Sequence, residues 1–173
     1  MILVRLERYL REHGVAFRRL PHPRAVDAQR TAEAKGISGW VVAKAIAVEL
    51  ASGEEIICVV PAPALVDLDA VCDATRSRDA RLVERDRLEE LFPGCQEGAI
   101  PPFGGFWGMP VVCDPALLED DVFYVSGGDY RTMLELNTED YRILEAPILA
   151  PIASMPGEPW AHAVSAEAFH EGA

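Results

Sequence analysis

A lysine stands in the middle of an otherwise apolar run, Val41-Val42-Ala43-Lys44-Ala45-Ile46-Ala47-Val48-Glu49. Side chains alternate between faces along a strand. Lys44 therefore shares a face with Val42, Ile46 and Val48, while Val41, Ala43, Ala45 and Ala47 make up the other. Both faces are apolar, the pattern of a strand covered on both sides. Desolvating an ammonium there is costly unless it meets a partner. A bound anion or bound carbonyl would supply one. The structural alternatives are a nearby Asp or Glu, or an ammonium that snorkels out at the strand end.

Other reactive constellations are missing. The chain has no P-loop, no GxGxxG and no HExxH, and no serine in a GxSxG elbow. Cys58, Cys72, Cys95 and Cys113 show no CxxC-type spacing, so no metal site is expected. They read as reduced, mostly buried thiols of a cytoplasmic protein. Glu89/Glu90 and Asp120/Asp121 read as solvated charges, and His162 and His170 fall in a C-terminal tail.

The elements that would position Lys44 can be read along the chain. Leu3, Leu6, Tyr9 and Leu10 lie at helical spacing, and Gly14 stops that helix. Residues 15–20 read as a strand closed by the turn-like Pro21-His22-Pro23. Asp27 is an N-cap for a helix that ends at Gly36. The strand carrying Lys44 returns through a hairpin at 51–55 into a second strand, 56–60. A helix from Asp67, a short strand at 80–83 and a helix at 84–92 follow. Residues 98–110 form a Gly/Pro/aromatic loop. Strands are expected at 111–114, 122–128 and 131–136, and Asn137 or Thr138 caps a last helix. Strands and helices mix without strict alternation, which predicts an α+β fold with a curved mixed β-sheet and surrounding helices. The expected domain runs over residues 1–146, and 147–173 is an Ala/Pro-rich tail.

The 173 residues suffice for one domain with a sizeable core. No apolar run approaches the ~20 residues needed to span a bilayer. Met1 opens directly onto a charged amphipathic stretch, so no signal peptide is expected. The net charge of −12 argues against nucleic acid at first. Residues 1–44, however, carry nine basic and four acidic groups, a net of +5, so one basic face on an acidic body is expected. A solvated amphipathic helix and turn is the plainer account of part of that charge.

Four segments in order, "PHPRAVDAQRTAEAKGIS", "VAKAIAVE", "GAIPPFG" and "VFYVSGGDYRTMLEL", resemble the YbaK-like family, the editing (INS-like) domain of prolyl-tRNA synthetases and its free-standing relatives. The resemblance covers residues 3–146. It implies a metal-independent, cofactor-free hydrolase of ester bonds: a trans-editing aminoacyl-tRNA deacylase of the cytoplasm. Its partner would be the acceptor end of a mischarged tRNA, with an aminoacyl-tRNA synthetase as a second partner and no membrane. The amino acid removed would be small: Ala, Ser or Thr.

Lys44 falls where this family keeps its functional lysine. Gly98 to Pro102 match its GxxxP loop, where glycine lets the backbone approach a ligand and prolines fix the shape. The N–H groups of Gly98, Ala99 and Ile100 would face a developing oxyanion. His22 sits where the family often has a histidine near the pocket mouth; a turn residue between two prolines is the alternative. Thr31 either lines the pocket or bonds back to its own helix. Gly128, Asp129 and Tyr130 occupy the place of a Gly-Thr-His-like step, with Tyr130 in place of the histidine. A phenol bonds but cannot supply imidazole's charge. This departure leaves open an inactive relative that binds a small molecule, a nucleotide or a protein.

Overall fold

A computed structural model describes residues 1–156. The chain begins with α1 (Ile2–Glu12), whose Leu3, Leu6 and Leu10 are buried. Each such burial contributes about 1.5–3 kcal/mol. β1 (Phe17–Pro21) follows, then α2 (Ala28–Lys35), capped by Asp27 and stopped by the left-handed Gly36. β2 (Ala43–Leu50) and β3 (Glu55–Pro61) form the expected hairpin. Next come β4 (Leu65–Val66), α3 (Leu68–Thr75) with Asp67 as its cap, β5 (Ala80–Leu82) and α4 (Arg85–Leu91). The Gly/Pro loop contains a single helical turn, α5 (Gly104–Trp107), before β6 (Val111–Cys113). β7 (Val122–Ser126), β8 (Thr132–Asn137) and α6 (Thr138–Glu145), capped by Asn137, complete the predicted elements.

The fold is α+β, as its sequence predicts. The strands form two principal sheets. One is mixed, in the order β5-β2-β3-β6 and then β9 (Ile148–Leu149), with β3–β6 and β6–β9 parallel. The other is antiparallel, in the order β1-β8-β7. A parallel bridge between Val42 and Tyr124 joins them. β2 is covered on both sides, as its pattern demands. Ala43 and Ala47 pack in a core with Leu6, Leu10, Phe103 and Tyr141, and Val48 packs in another with Val71 and Ile152.

The packed body extends past residue 146. β9 adds to the mixed sheet, and β10 (Ala153–Ser154) pairs with β4. Ile152 is fully buried, and Asp114 accepts a hydrogen bond from Ala153 N–H. Two-residue strands carry no readable periodicity, so composition alone marked this stretch as tail. His162 and His170 lie outside the described residues.

Four of the nine basic side chains expected to form a basic face in residues 1–44 are paired with acids. The Arg19 guanidinium grips buried Glu7 with two bonds of 2.7 Å, and Arg11 joins them. Arg18 pairs with Glu135 and Arg30 with Asp27. All four cysteines are free. Burial pushes Cys58, Cys95 and Cys113 up to about 12, which leaves them without thiolate character near neutral pH.

Candidate active site

The two sheets touch at Val42 and Tyr124 and then separate. β2 runs on to pair with β5 at Val48–Leu50, while β7 stays with β8. The gap between them is a cleft lined by β2, β7, the His22–Thr31 segment and the Gly98–Ile100 loop. Strand alternation orients its β2 wall. Val42 C=O accepts from Ala62 on the β3 side and Ala47 C=O accepts from Val83 on the other. The Ala45 backbone groups therefore point away from β3, toward the cleft.

Lys44 lines this cleft, half-buried. Its Nζ donates to the carbonyl of Ala64. The partner seen here is a carbonyl of the protein's own backbone, neither a carboxylate nor a bound ligand. An ammonium has three donors, and the other two have no acceptor among the described residues. Burial lowers the Lys44 pKa, and the negative charge of Asp27 offsets part of that shift. Asp27 also lines the cleft, and its Oδ1 accepts from Arg30 N–H at 2.8 Å. One carboxylate therefore caps α2 and faces the lysine.

The Gly98–Ile100 loop is held from several directions. Gly98 has φ +76°, and an added Cβ would lie 3.0 Å from the Val26 carbonyl. Ser126 Oγ donates to Ala99 C=O at 2.8 Å and accepts from Gly128 N–H. The Ala99 N–H donates to Gln96 C=O at 3.0 Å. It is therefore already committed, unlike the three open amides expected from the sequence. The amides of Gly98 and Ile100 have no protein acceptor among the described residues.

His22 is buried in the cleft wall with Nδ1 2.7 Å from the Pro23 carbonyl. That contact requires a proton on Nδ1, so in the neutral ring Nε2 is an acceptor. Thr31 lines the cleft, but its hydroxyl donates to Asp27 C=O at 2.9 Å. Asp129 also lines it, with Oδ1 accepting from Arg131 N–H.

The structure brings Lys44, His22, Thr31, Gly98, Ala99, Ile100 and Asp129 together around one cleft. Three other residues singled out by sequence are not among its lining. The Pro102 carbonyl accepts from the buried Tyr141 hydroxyl at 2.7 Å, which anchors the far end of the loop. Gly128 is packed under α1, where a Cβ would meet Ile2 at 2.4 Å. The Tyr130 hydroxyl donates to Glu97 C=O at 2.7 Å, so it braces the loop from outside. Sequence reasoning missed Asp27 and Ser126 as parts of the site. Asp27 was legible only as a helix cap, and Ser126 carried no signal beyond lying in an expected strand.

Among the described residues no group of three or more His, Cys, Asp or Glu side chains could hold a metal ion. No helix among them is long and apolar enough to cross a membrane.

Residues 22–144 match the aminoacyl-tRNA editing domain family. The multifunctional Ser/Thr-tRNA deacylase ProXp-y of Escherichia coli K12 is 27% identical over 150 residues, which cover 84% of this chain and 89% of that protein. A crystal structure described as "a putative trans-editing enzyme for prolyl tRNA synthetase" superposes with a TM-score of 0.77 at 19% identity, covering 88% of this chain and 97% of that one. A hypothetical protein, APE2540, superposes with a TM-score of 0.78 at 19% identity, covering 87% and 99%. At these identities the two structures speak to the fold alone.

Proposed function

The chain belongs to the aminoacyl-tRNA editing domain family, and from that premise we propose that it removes serine or threonine from mischarged tRNA in trans, in the cytoplasm. The observation that carries this reading is the meeting of Lys44 and the Gly98–Ile100 loop across one small cleft. The similarity to ProXp-y, named a Ser/Thr-tRNA deacylase, supports the choice of amino acids over alanine.

In the proposed reaction the aminoacyl ester enters the cleft with its carbonyl oxygen at the Gly98 and Ile100 amides. A water attacks the carbonyl carbon, and the tetrahedral oxyanion takes hydrogen bonds from those two N–H groups. The bond from carbonyl carbon to ribose oxygen then breaks. The proton lost by the water ends on the ribose, directly or through the neighbouring hydroxyl, and the free amino acid leaves. Lys44, fixed by the Ala64 carbonyl, uses its remaining donors on a phosphate or ribose oxygen of the terminal nucleotide. The carboxylates of Asp27 and Asp129 suit the α-ammonium of the substrate. His22 accepts from a ribose hydroxyl at Nε2. Clash with the cleft walls would exclude large side chains. No step requires a metal ion, and undiminished activity in chelator is the corresponding expectation.

The binding-module alternative rests on Tyr130 standing in for a histidine, on the net charge of −12 and on the C-terminal extension. Tyr130 is not in the cleft lining, so the replacement removes no group from the lining. The test is release of labelled amino acid from a panel of mischarged tRNAs. Release from Ser- or Thr-charged tRNA, reduced at least ~100-fold in a folded Lys44→Ala variant, is the expected result. No release from any member of the panel would overturn the proposal.

A further inference from the structure

The fate of the basic side chains in residues 1–44 isolates one of them. Four arginines are taken by acids, as described above, and Lys35 Nζ donates to the Pro21 carbonyl. Arg5 and Arg8 lie on α1, which contributes nothing to the cleft lining. Arg24 is exposed and has no carboxylate within ion-pair distance among the described residues. Its guanidinium lies over the Tyr130 ring, 5.2 Å from the centroid. The next two residues, Ala25 and Val26, line the cleft, and Ala25 N–H donates to Tyr130 C=O at 2.9 Å. Arg24 therefore stands next to the mouth of the site.

Tyr130 is fixed at three points besides this stacking. Its N–H donates to Gln96 Oε1 and its hydroxyl to Glu97 C=O, both at 2.7 Å, and its C=O receives Ala25. Gln96 in turn donates from its N–H to Gly128 C=O and accepts from Ala99 N–H. One aromatic side chain thus ties the rim arginine to the loop that carries the proposed oxyanion donors. Stacking holds a long side chain in place before binding, which lowers the entropy lost when it is used. The free fork of a guanidinium matches two phosphate oxygens.

We propose that Arg24, propped on Tyr130, is a phosphate-binding rim for the single-stranded 3′ end of tRNA, and that Tyr130 is the positioning residue that holds rim and loop in register. This deepens the deacylase reading and rests on it for the identity of the ligand.

The test separates the two. A fluorescent acceptor-stem hairpin with an uncharged CCA end is titrated into the full chain across a salt series, and deacylation of Ser-tRNA is measured alongside. Arg24→Ala should weaken hairpin binding about tenfold at low salt. It should also reduce the slope of log K against log salt by about 0.7, the loss of one single-strand phosphate contact. Arg24→Lys should restore the slope. Tyr130→Phe keeps the ring under Arg24 and loses only the bond to Glu97, so it should keep the binding slope and lower kcat. A wild-type salt slope in a folded Arg24→Ala variant would overturn the proposal. So would a Tyr130→Phe variant with unchanged kcat, for the positioning role. Absence of deacylation in the wild type, with hairpin binding and its Arg24 dependence intact, would instead sink the deacylase reading alone.

Discussion

Substituting alanine at Gly98 tests the loop geometry most directly. The residue sits at φ +76°, where an L side chain costs about 1–2 kcal/mol. The new Cβ would also lie 3.0 Å from the Val26 carbonyl, a backbone atom that cannot swing aside. The loop must give by a few tenths of an ångström, and Gly98 N–H moves with it. The stability loss of ~1–2 kcal/mol corresponds to a Tm lower by about 2–8 °C for a domain of this size. Loss of one aligned oxyanion donor costs about 100- to 1,000-fold in kcat. Gly94→Ala is the matched control: φ is +87°, and the nearest atom to an added Cβ is Ile2 Cβ at 3.9 Å. It carries similar backbone strain away from the cleft lining. Thermal melts and single-turnover release of serine from Ser-tRNA would be run on both variants. Similar Tm losses with an activity loss confined to Gly98→Ala are expected. Near-wild-type activity in Gly98→Ala, or equal activity losses in both variants, would refute the assignment of the loop amides.

The Lys44 pKa lies below its ordinary value of 10.5 because burial outweighs the opposing charge of Asp27. Raising the pH therefore discharges this ammonium earlier than an ordinary lysine, and background-corrected deacylation should show an alkaline limb below that pH. A guanidinium stays protonated throughout, so any residual activity of Lys44→Arg should lack the limb, and a shared limb would assign it to another group. Asp114 is buried and accepts from Ala116 N–H at 2.9 Å and Ala153 N–H at 2.8 Å. Asp114→Ala should lower stability by about 1–3 kcal/mol, read as a shifted urea midpoint, and Asp114→Asn by less because one acceptor remains.

What the chain settles by itself is what its physics makes local. Asp27, Asp67 and Asn137 cap helices through amides two or three residues on, so their roles were readable in their own neighbourhoods. Alternation placed Lys44 on an apolar strand face before any partner was known, and that paradox pointed to the candidate site. The partner itself, the Ala64 carbonyl, is twenty residues away, and no local pattern encodes it. The same holds for Arg19 with Glu7, Arg18 with Glu135, and Ala153 with Asp114. Their pairing depends on which segments come side by side, and it took several arginines of the expected basic face into ion pairs. The open amides narrowed from three to two because the Gln96 carbonyl folds back onto Ala99. Tyr130 left the pocket's lining for a bracing position because its hydroxyl reaches Glu97, thirty-three residues earlier. Residue type and short-range spacing thus determined the candidates and the elements that bear them. Which donors stay open, and which charges stay free, was decided only when distant segments met, since a hydrogen bond is committed by proximity in space and not along the chain.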